Sequence, residues 1–425
     1  MSRAGPAADA SQATATRELL GAVPTAALRG TLAALGAVAL GQVPPLLVDL
    51  AGGGLAPVTQ LRVGWLYTMA GHAVAVTATG SGGSLEGLGA GVLDLRLGML
   101  TIAAVAAGLA AVGGRAAARR VSDAGGVRVL AGALTAVPYV ALIGIVNLAV
   151  ELRLRDAGGV LPASTTIEAS AAEGFLLPGA LALTAGALGG WSASSSWSAP
   201  AGLGVRAGLR AFAWATGLSL IGLLAFAALR PDGLDRYVHE VTSAGPRRAA
   251  LILGHQALML PDQAMWVLAP SMGGCVSLRV DAAAHDVICF DRLPRGPDPV
   301  TWLLTELGRV GGVPRTGPSP AVTWLFLAVP IAAIALGFRT RGAVVPARSA
   351  LVRGVIGGAV FAALVTATSL AGSLWLSLGD EQTRRSVALG PDPATTAALA
   401  SAWGVVGGTA VGVLTPLQRR PAPRA

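Results

Sequence analysis

Two of the four histidines in this chain follow a glycine inside an apolar stretch: Gly71-His72 within 63–80 and Gly254-His255 within 249–274. Imidazole carries a proton near neutral pH or binds a metal as the neutral base. An ionisable side chain at membrane depth is costly enough that function is its default reading. The competing reading is structural, with each ring bonding a backbone carbonyl released where the segment turns. Leu260-Pro261-Asp262 then breaks the second stretch, because proline removes a donor and disfavours helix in the residue before it. The Asp262 carboxylate either caps the helix that follows, 263–270, or joins His255 or Arg248 in a polar pocket. Tyr139 and Asn147 could add contacts there. His72, His255, Asp262 and Arg248 are the candidate polar site. Two histidines without further ligands make no metal centre, and no metal or cofactor is expected.

Cys275 and Cys289 are the only cysteines. They lie in one long loop, so a disulfide in an oxidising compartment is the expected pairing. His285 between them adds only a weak metal signal. Thr79 to Ser84 is rich in glycine and serine but lacks the Gly-Lys-Ser/Thr ending of a phosphate loop, and the chain contains no lysine. It reads as a turn. The sequence carries no nucleophile elbow, zinc-binding histidine pair or dinucleotide fingerprint. No catalytic residue is therefore assigned, and the expectation is a protein that is not an enzyme. The third and weakest function reading is a lipid-linked membrane enzyme with Asp262, His255, Arg247 and Arg248 as candidates.

The elements that must hold these residues are membrane helices. The 425-residue chain is 53% hydrophobic and 12% charged, with a mean hydropathy of +0.65. Soluble domains carry roughly 25% charged residues. Eight segments approach the ~20 apolar residues that a span needs: 30–50, 97–114, 129–150, 171–191, 207–229, 321–338, 354–378 and 395–415. The histidine segments 63–80 and 249–274 are broken. If they re-enter, with both termini inside, 16 arginines and 3 acids face inward against 15 arginines and 19 acids outward. Ten plain spans put the basic 115–128 loop outside, against the positive-inside rule. The net charge of +9 then orients helices rather than binding nucleic acid. Trp65, Trp191, Trp197, Trp302, Trp324 and Trp375 read as interfacial anchors.

The fold expectation is an all-α polytopic transmembrane bundle, with about eight spans plus two re-entrant or broken segments, or else ten spans. Residues 1–29 read as a flexible cytoplasmic tail, and 416–425 as another. Segments 30–191 and 192–415 form two halves of a parallel internal repeat, the second with an outer loop at 230–320. Within that loop, 233–245 has the spacing of an interfacial helix. Interrupted apolar segments at matching positions of two halves point to a site.

Two patches carry a family resemblance. One is the early broken segment with a central histidine. The other is Leu260-Pro261-Asp262-Gln263-Ala264-Met265-Trp266-Val267-Leu268, followed by Gly273-Gly274. The layout resembles the PerM-like actinobacterial multi-pass membrane proteins, which are associated with cell division and envelope integrity. The chain departs from that pattern at Asp262, where the family has Asn, and at Ser271 to Cys275, in place of a Gly-Pro-Gly-like turn. The resemblance implies a bacterial plasma-membrane protein supporting envelope or division partners, and supplies no catalytic residues. A small-molecule or ion transporter with a site at the repeat interface is the alternative.

Overall fold

The structure, a computed structural model, describes residues 6–81, 92–123, 126–155, 164–229, 235, 238–239, 241–243, 245–281, 283–294, 316–318, 321–339, 347–379 and 385–411. Trp302, the 416–425 tail and much of the outer loop, including 233–234, 236–237, 240 and 244, lie outside these residues. Within a bilayer every backbone amide and carbonyl must be satisfied inside the chain, and helices do that segment by segment. Seven described helices are long and apolar enough to cross a membrane, and Thr323–Phe338 is a shorter apolar one. The chain is a polytopic helical bundle, divided into two compact units.

The first unit comprises residues 1–76, 101–152 and 168–199. Its helices are α1 (Pro6–Gly41), α2 (Val43–Leu50), α3 (Pro57–Gly71), α4 (Leu100–Ala118), α5 (Val127–Ala133), α6 (Ala136–Ala149) and α7 (Ala171–Ser192). Helix α1 corrects the expected flexible tail, since the chain is helical from Pro6. Alanine is the best helix former, and Ala22, within α1, packs with Val121 and Ala131. The unit is built on backbone contact. A Cβ on Gly132 would stand 2.3 Å from the Gly186 carbonyl, and one on Gly189 would stand 2.0 Å from that of Ala111. Where lipid removes the hydrophobic drive between helices, such close approach is what holds them together.

The second unit comprises residues 77–100, 153–167 and 200–425. Its helices are α8 (Pro200–Leu229), α9 (Pro246–Leu258), α10 (Leu260–Ser271), α11 (Ala328–Phe338), α12 (Ala347–Ala371) and α13 (Pro393–Ser401), the last continued by a π-helical turn, Ala402–Gly407. Gly204 lies against the Arg353 backbone and Gly208 against the Gly357 carbonyl, so α8 and α12 run in the same direction. Ala211, Ala215, Leu268, Phe338, Phe361 and Val365 belong to the core between them. Neither broken segment forms one long helix: 63–80 is helical to Gly71 and enters β1 at Val76, and 249–274 divides between α9 and α10.

One feature lies outside the helical expectation. An eight-stranded sheet, counted with the second unit, has the order β3-β4-β1-β2-β9-β10-β5-β6. Its strands are β1 (Val76–Ser81), β2 (Val92–Arg96), β3 (Glu151–Arg155), β4 (Ser164–Ala169), β5 (Cys275–Val280), β6 (Ala283–Cys289), β9 (Leu374–Gly379) and β10 (Arg385–Pro391). A separate pair joins β7 (Arg292–Pro294) and β8 (Thr316–Pro318). The centre of the large sheet is antiparallel β2 on β9, with Arg96 opposite Trp375. The expected span 354–378 therefore ends as helix at Ala371, and Trp375 is a strand residue whose ring lies 5.7 Å from the Arg96 guanidinium carbon. Thr79, Gly80 and Ser81, expected in a turn, belong to β1; residues 82–84 lie outside the described set.

Gly132→Val drives a branched side chain into the Gly186 carbonyl and is expected to lower stability by about 1–3 kcal/mol. Gly217→Ala, where a Cβ meets nothing within 4 Å, shifts it by less than about 1 kcal/mol. Thermal unfolding of the detergent-solubilised protein compares the two.

Candidate functional site

In the first unit, α3 ends in a turn that His72 caps. The amides of His72, Ala73 and Val74 bond back to Met69, Ala70 and Met69 carbonyls, and Ala73 takes a left-handed φ of 58°. The turn buries His72. Its Nδ1 lies 2.7 Å from the Thr68 carbonyl and its Nε2 2.6 Å from the Tyr139 hydroxyl. A carbonyl only accepts, so Nδ1 carries the proton and Nε2 accepts from Tyr139. Beside it, the buried Trp65 indole donates to Asn147 Oδ1 (3.2 Å), and Asn147 Nδ2 donates to the Ser170 carbonyl (3.2 Å). Trp65 is thus an interior residue here rather than an interfacial anchor. Tyr139 and Asn147, candidates for a pocket around Asp262, serve His72 and Trp65 instead. Both imidazole nitrogens are occupied by the fold, an arrangement that locks α3 against α6.

Asp262, in the second unit, is fully buried in the first turn of α10. It does not cap that helix. The N-cap position is Met259, without a side-chain bond. Asp262 Oδ2 instead accepts from the Leu100 amide at 3.0 Å, and Leu100 is the first residue of α4. The carboxylate therefore satisfies an open amide at the start of a different helix, rather than bonding His255 or Arg248. Its Oδ1 has no hydrogen-bond partner. Gly98 and Gly372 close over it: a Cβ on either would stand 2.7 Å from Oδ1. Trp266 Nε1 donates to the Gly372 carbonyl at 3.3 Å. His255 is half-buried in the last turn of α9, and Arg248 is exposed near its start.

Cys275 and Cys289 form a disulfide and sit opposite each other across β5 and β6. On the chain-entropy model a loop of this size contributes about 3 kcal/mol. Asp286 lies close enough to both sulfurs to complete a three-ligand group. With the sulfurs bonded to each other, no thiolate is left to ligate a metal.

Sequence reasoning did not find the residues that join helices to strands. The Ser170 amide donates to the Ala75 carbonyl (2.9 Å), and Ser170 N-caps α7. Glu173, one turn on, accepts from the Ala75 amide at 2.8 Å. Asp392 repeats this in the second unit: its amide donates to the Cys275 carbonyl (3.3 Å), and its carboxylate caps α13 through the Thr395 amide (2.8 Å). A Ser or Asp ahead of a helical run, followed three residues later by Glu or Thr, was the available signal.

Comparison with protein-family models, with curated proteins and with solved structures finds no match for this chain.

Asp262→Ala leaves the Leu100 amide buried and unbonded, and is expected to cost about 1–3 kcal/mol. Asp262→Asn keeps an acceptor for it and should cost less. Detergent melting curves of the two variants measure the difference. At Asp392 the Thr395 amide holds the carboxyl below its ordinary value. A lowered native pKa adds stability above the unfolded pKa and loses it as pH falls through the native value. Asp392→Ala should therefore trail the wild type by about 1 kcal/mol at neutral pH. The gap should close as pH drops below about 4, followed by melting temperature against pH.

Proposed function

We propose that this chain is a non-enzymatic integral membrane protein of a bacterial plasma membrane. It supports partner membrane proteins of the envelope, the division machinery among them, and presents its sheet to them. The observation carrying this reading is the eight-stranded sheet itself, assembled from the hairpins that follow α3, α6, α10 and α12. Four hairpins merged into one sheet offer main-chain edges and pleated faces, which suit protein docking. The disulfide in β5–β6 suits an oxidising compartment, so the sheet faces outward. Helix directions agree with that choice. Helices leading into strands then end outside, and the loops rich in arginine lie inside with both termini.

An internal repeat fits the same arrangement. The order of a long helix, a broken segment, a hairpin, two helical stretches, a second hairpin and a last helix occurs from α1 to α7 and again from α8 to α13. The sheet order also divides into β3-β4-β1-β2 and β9-β10-β5-β6, with the later hairpin ahead of the earlier one in each. Met69 to Ala75 and Ala269 to Cys275 make the same turn, with Ala73 and Gly273 both at positive φ. The register supported by this geometry pairs His72 with Met272, not with His255. The PerM-like resemblance supports the division role.

A transporter remains the second reading because of one atom, the buried and unpartnered Oδ1 of Asp262, which could take up a proton in an alternating cycle.

A deletion strain decides between them. Defective septation or loss of division proteins, rescued by the wild type and by Asp262→Asn but not by a chain with charged substitutions at exposed strand positions Val92 and Val280, is the expected result. Normal septation and normal division-protein levels in the deletion would sink the support reading. Failure of Asp262→Asn alone, with the protein folded, would favour transport.

A further inference from the structure

Arg353, near the start of α12, is 7% exposed. Its guanidinium donates to the Phe338 carbonyl at the end of α11. Arg210 of α8 lies within electrostatic reach of it, and Arg206 stands one turn earlier on α8. Exposed Arg339 and Arg348 flank the same helix ends. A guanidinium has five N–H donors and cannot shed its charge, and the Phe338 carbonyl is the acceptor Arg353 uses. Among the described residues no acid is paired with it. No Asp or Glu occurs in 193–229, 321–379 or 393–425, which contain α8, α11, α12 and α13. Burying a cation beside a second cation is costly without an anion.

The first unit solves the same problem internally. Arg128, at the start of α5, lies 3.3 Å from the Asp123 carboxylate and donates to the Ala193 and Val121 carbonyls. Helices α8, α11, α12 and α13 contain no acid that could do for Arg353 what Asp123 does for Arg128.

We propose that Arg353 and Arg210 form a binding site for a phosphate group, whose oxygens supply the missing counter-charge. The location favours the phosphate of an anionic phospholipid. Helix α12 runs from this cluster to β9, so the cluster sits at the end of the second unit's bundle remote from the strands, where headgroups lie if the bundle spans a bilayer. Arginine's planar fork suits bidentate contact with phosphate oxygens, and basic pockets between membrane helices bind such headgroups. The site depends on the membrane assignment and not on any partner.

The test uses the full-length protein in nanodiscs of phosphatidylcholine, alone or doped with phosphatidylglycerol, and native mass spectrometry of retained lipid. The wild type should retain phosphatidylglycerol preferentially and melt higher in its presence. Arg210→Gln, an exposed position, should keep the fold and weaken that preference about tenfold, the loss of roughly one charge-assisted contact. Arg353→Met, which removes the buried charge but keeps an apolar stem, should abolish the preference while melting independently of lipid charge. In a second arm, inorganic phosphate is added to the detergent-solubilised protein. Phosphate protection that both substitutions remove, without lipid selectivity, would support the site and assign it to a soluble ion. Equal lipid selectivity and equal phosphate response in the wild type and both variants would overturn the proposal.

Discussion

A backbone hydrogen bond joins Ser170, at the start of α7, to Ala75, just ahead of β1, and another joins Asp392, at the start of α13, to Cys275, the first residue of β5. The same two residues use their side chains to cap the helices they begin. A helix N-terminus leaves amides open, and a strand entering at that point has a carbonyl to offer. Joining them satisfies both at the level where helices end and strands begin. Cys275 is held there as well, which places the disulfide at the root of its hairpin rather than at its tip.

Glycine carries the packing below that level. Carbonyls of one helix rest where another helix has no side chain, as Gly186 does on Gly132. The few buried polar groups are then fixed by geometry instead of by solvent. His72 has both nitrogens engaged, and its tautomer is dictated by a carbonyl that can only accept. Asp262 differs from His72, with one oxygen at the start of α4 and the other enclosed by two glycines.

The helices were legible because an apolar run of span length has few other uses. Segments 97–114, 171–191 and 207–229 all lie largely within described helices. The strands were hidden for a related reason. Those of the large sheet are five to seven residues long, and several lie directly against the spans, as Leu374–Gly379 follows α12, so hydropathy merges them into the neighbouring helix. Alternation in Glu151-Leu152-Arg153-Leu154-Arg155 was the readable trace of them. The pairing of His72 with His255 by their shared glycine failed at the level of local geometry. The turn after α3 matches the turn after α10, and His255 belongs to the helix before it. Asp262 was recognised as a capping residue, but the helix whose start it meets is far away in sequence, and spacing alone cannot reveal that.

The central strand pair has a consequence for how the chain is made. Strand β2, already paired with β1, finds its second partner only in β9, and the amide of Leu100 finds its acceptor only in Asp262, 162 residues later. A ribosome delivering this chain in order leaves the β2 edge open, and the start of α4 without its acceptor, until most of the protein has been inserted. The first half, released alone, would carry an unpaired strand edge of the kind that pairs with whatever chain is nearest. Completion of synthesis is thus itself the step that closes the sheet.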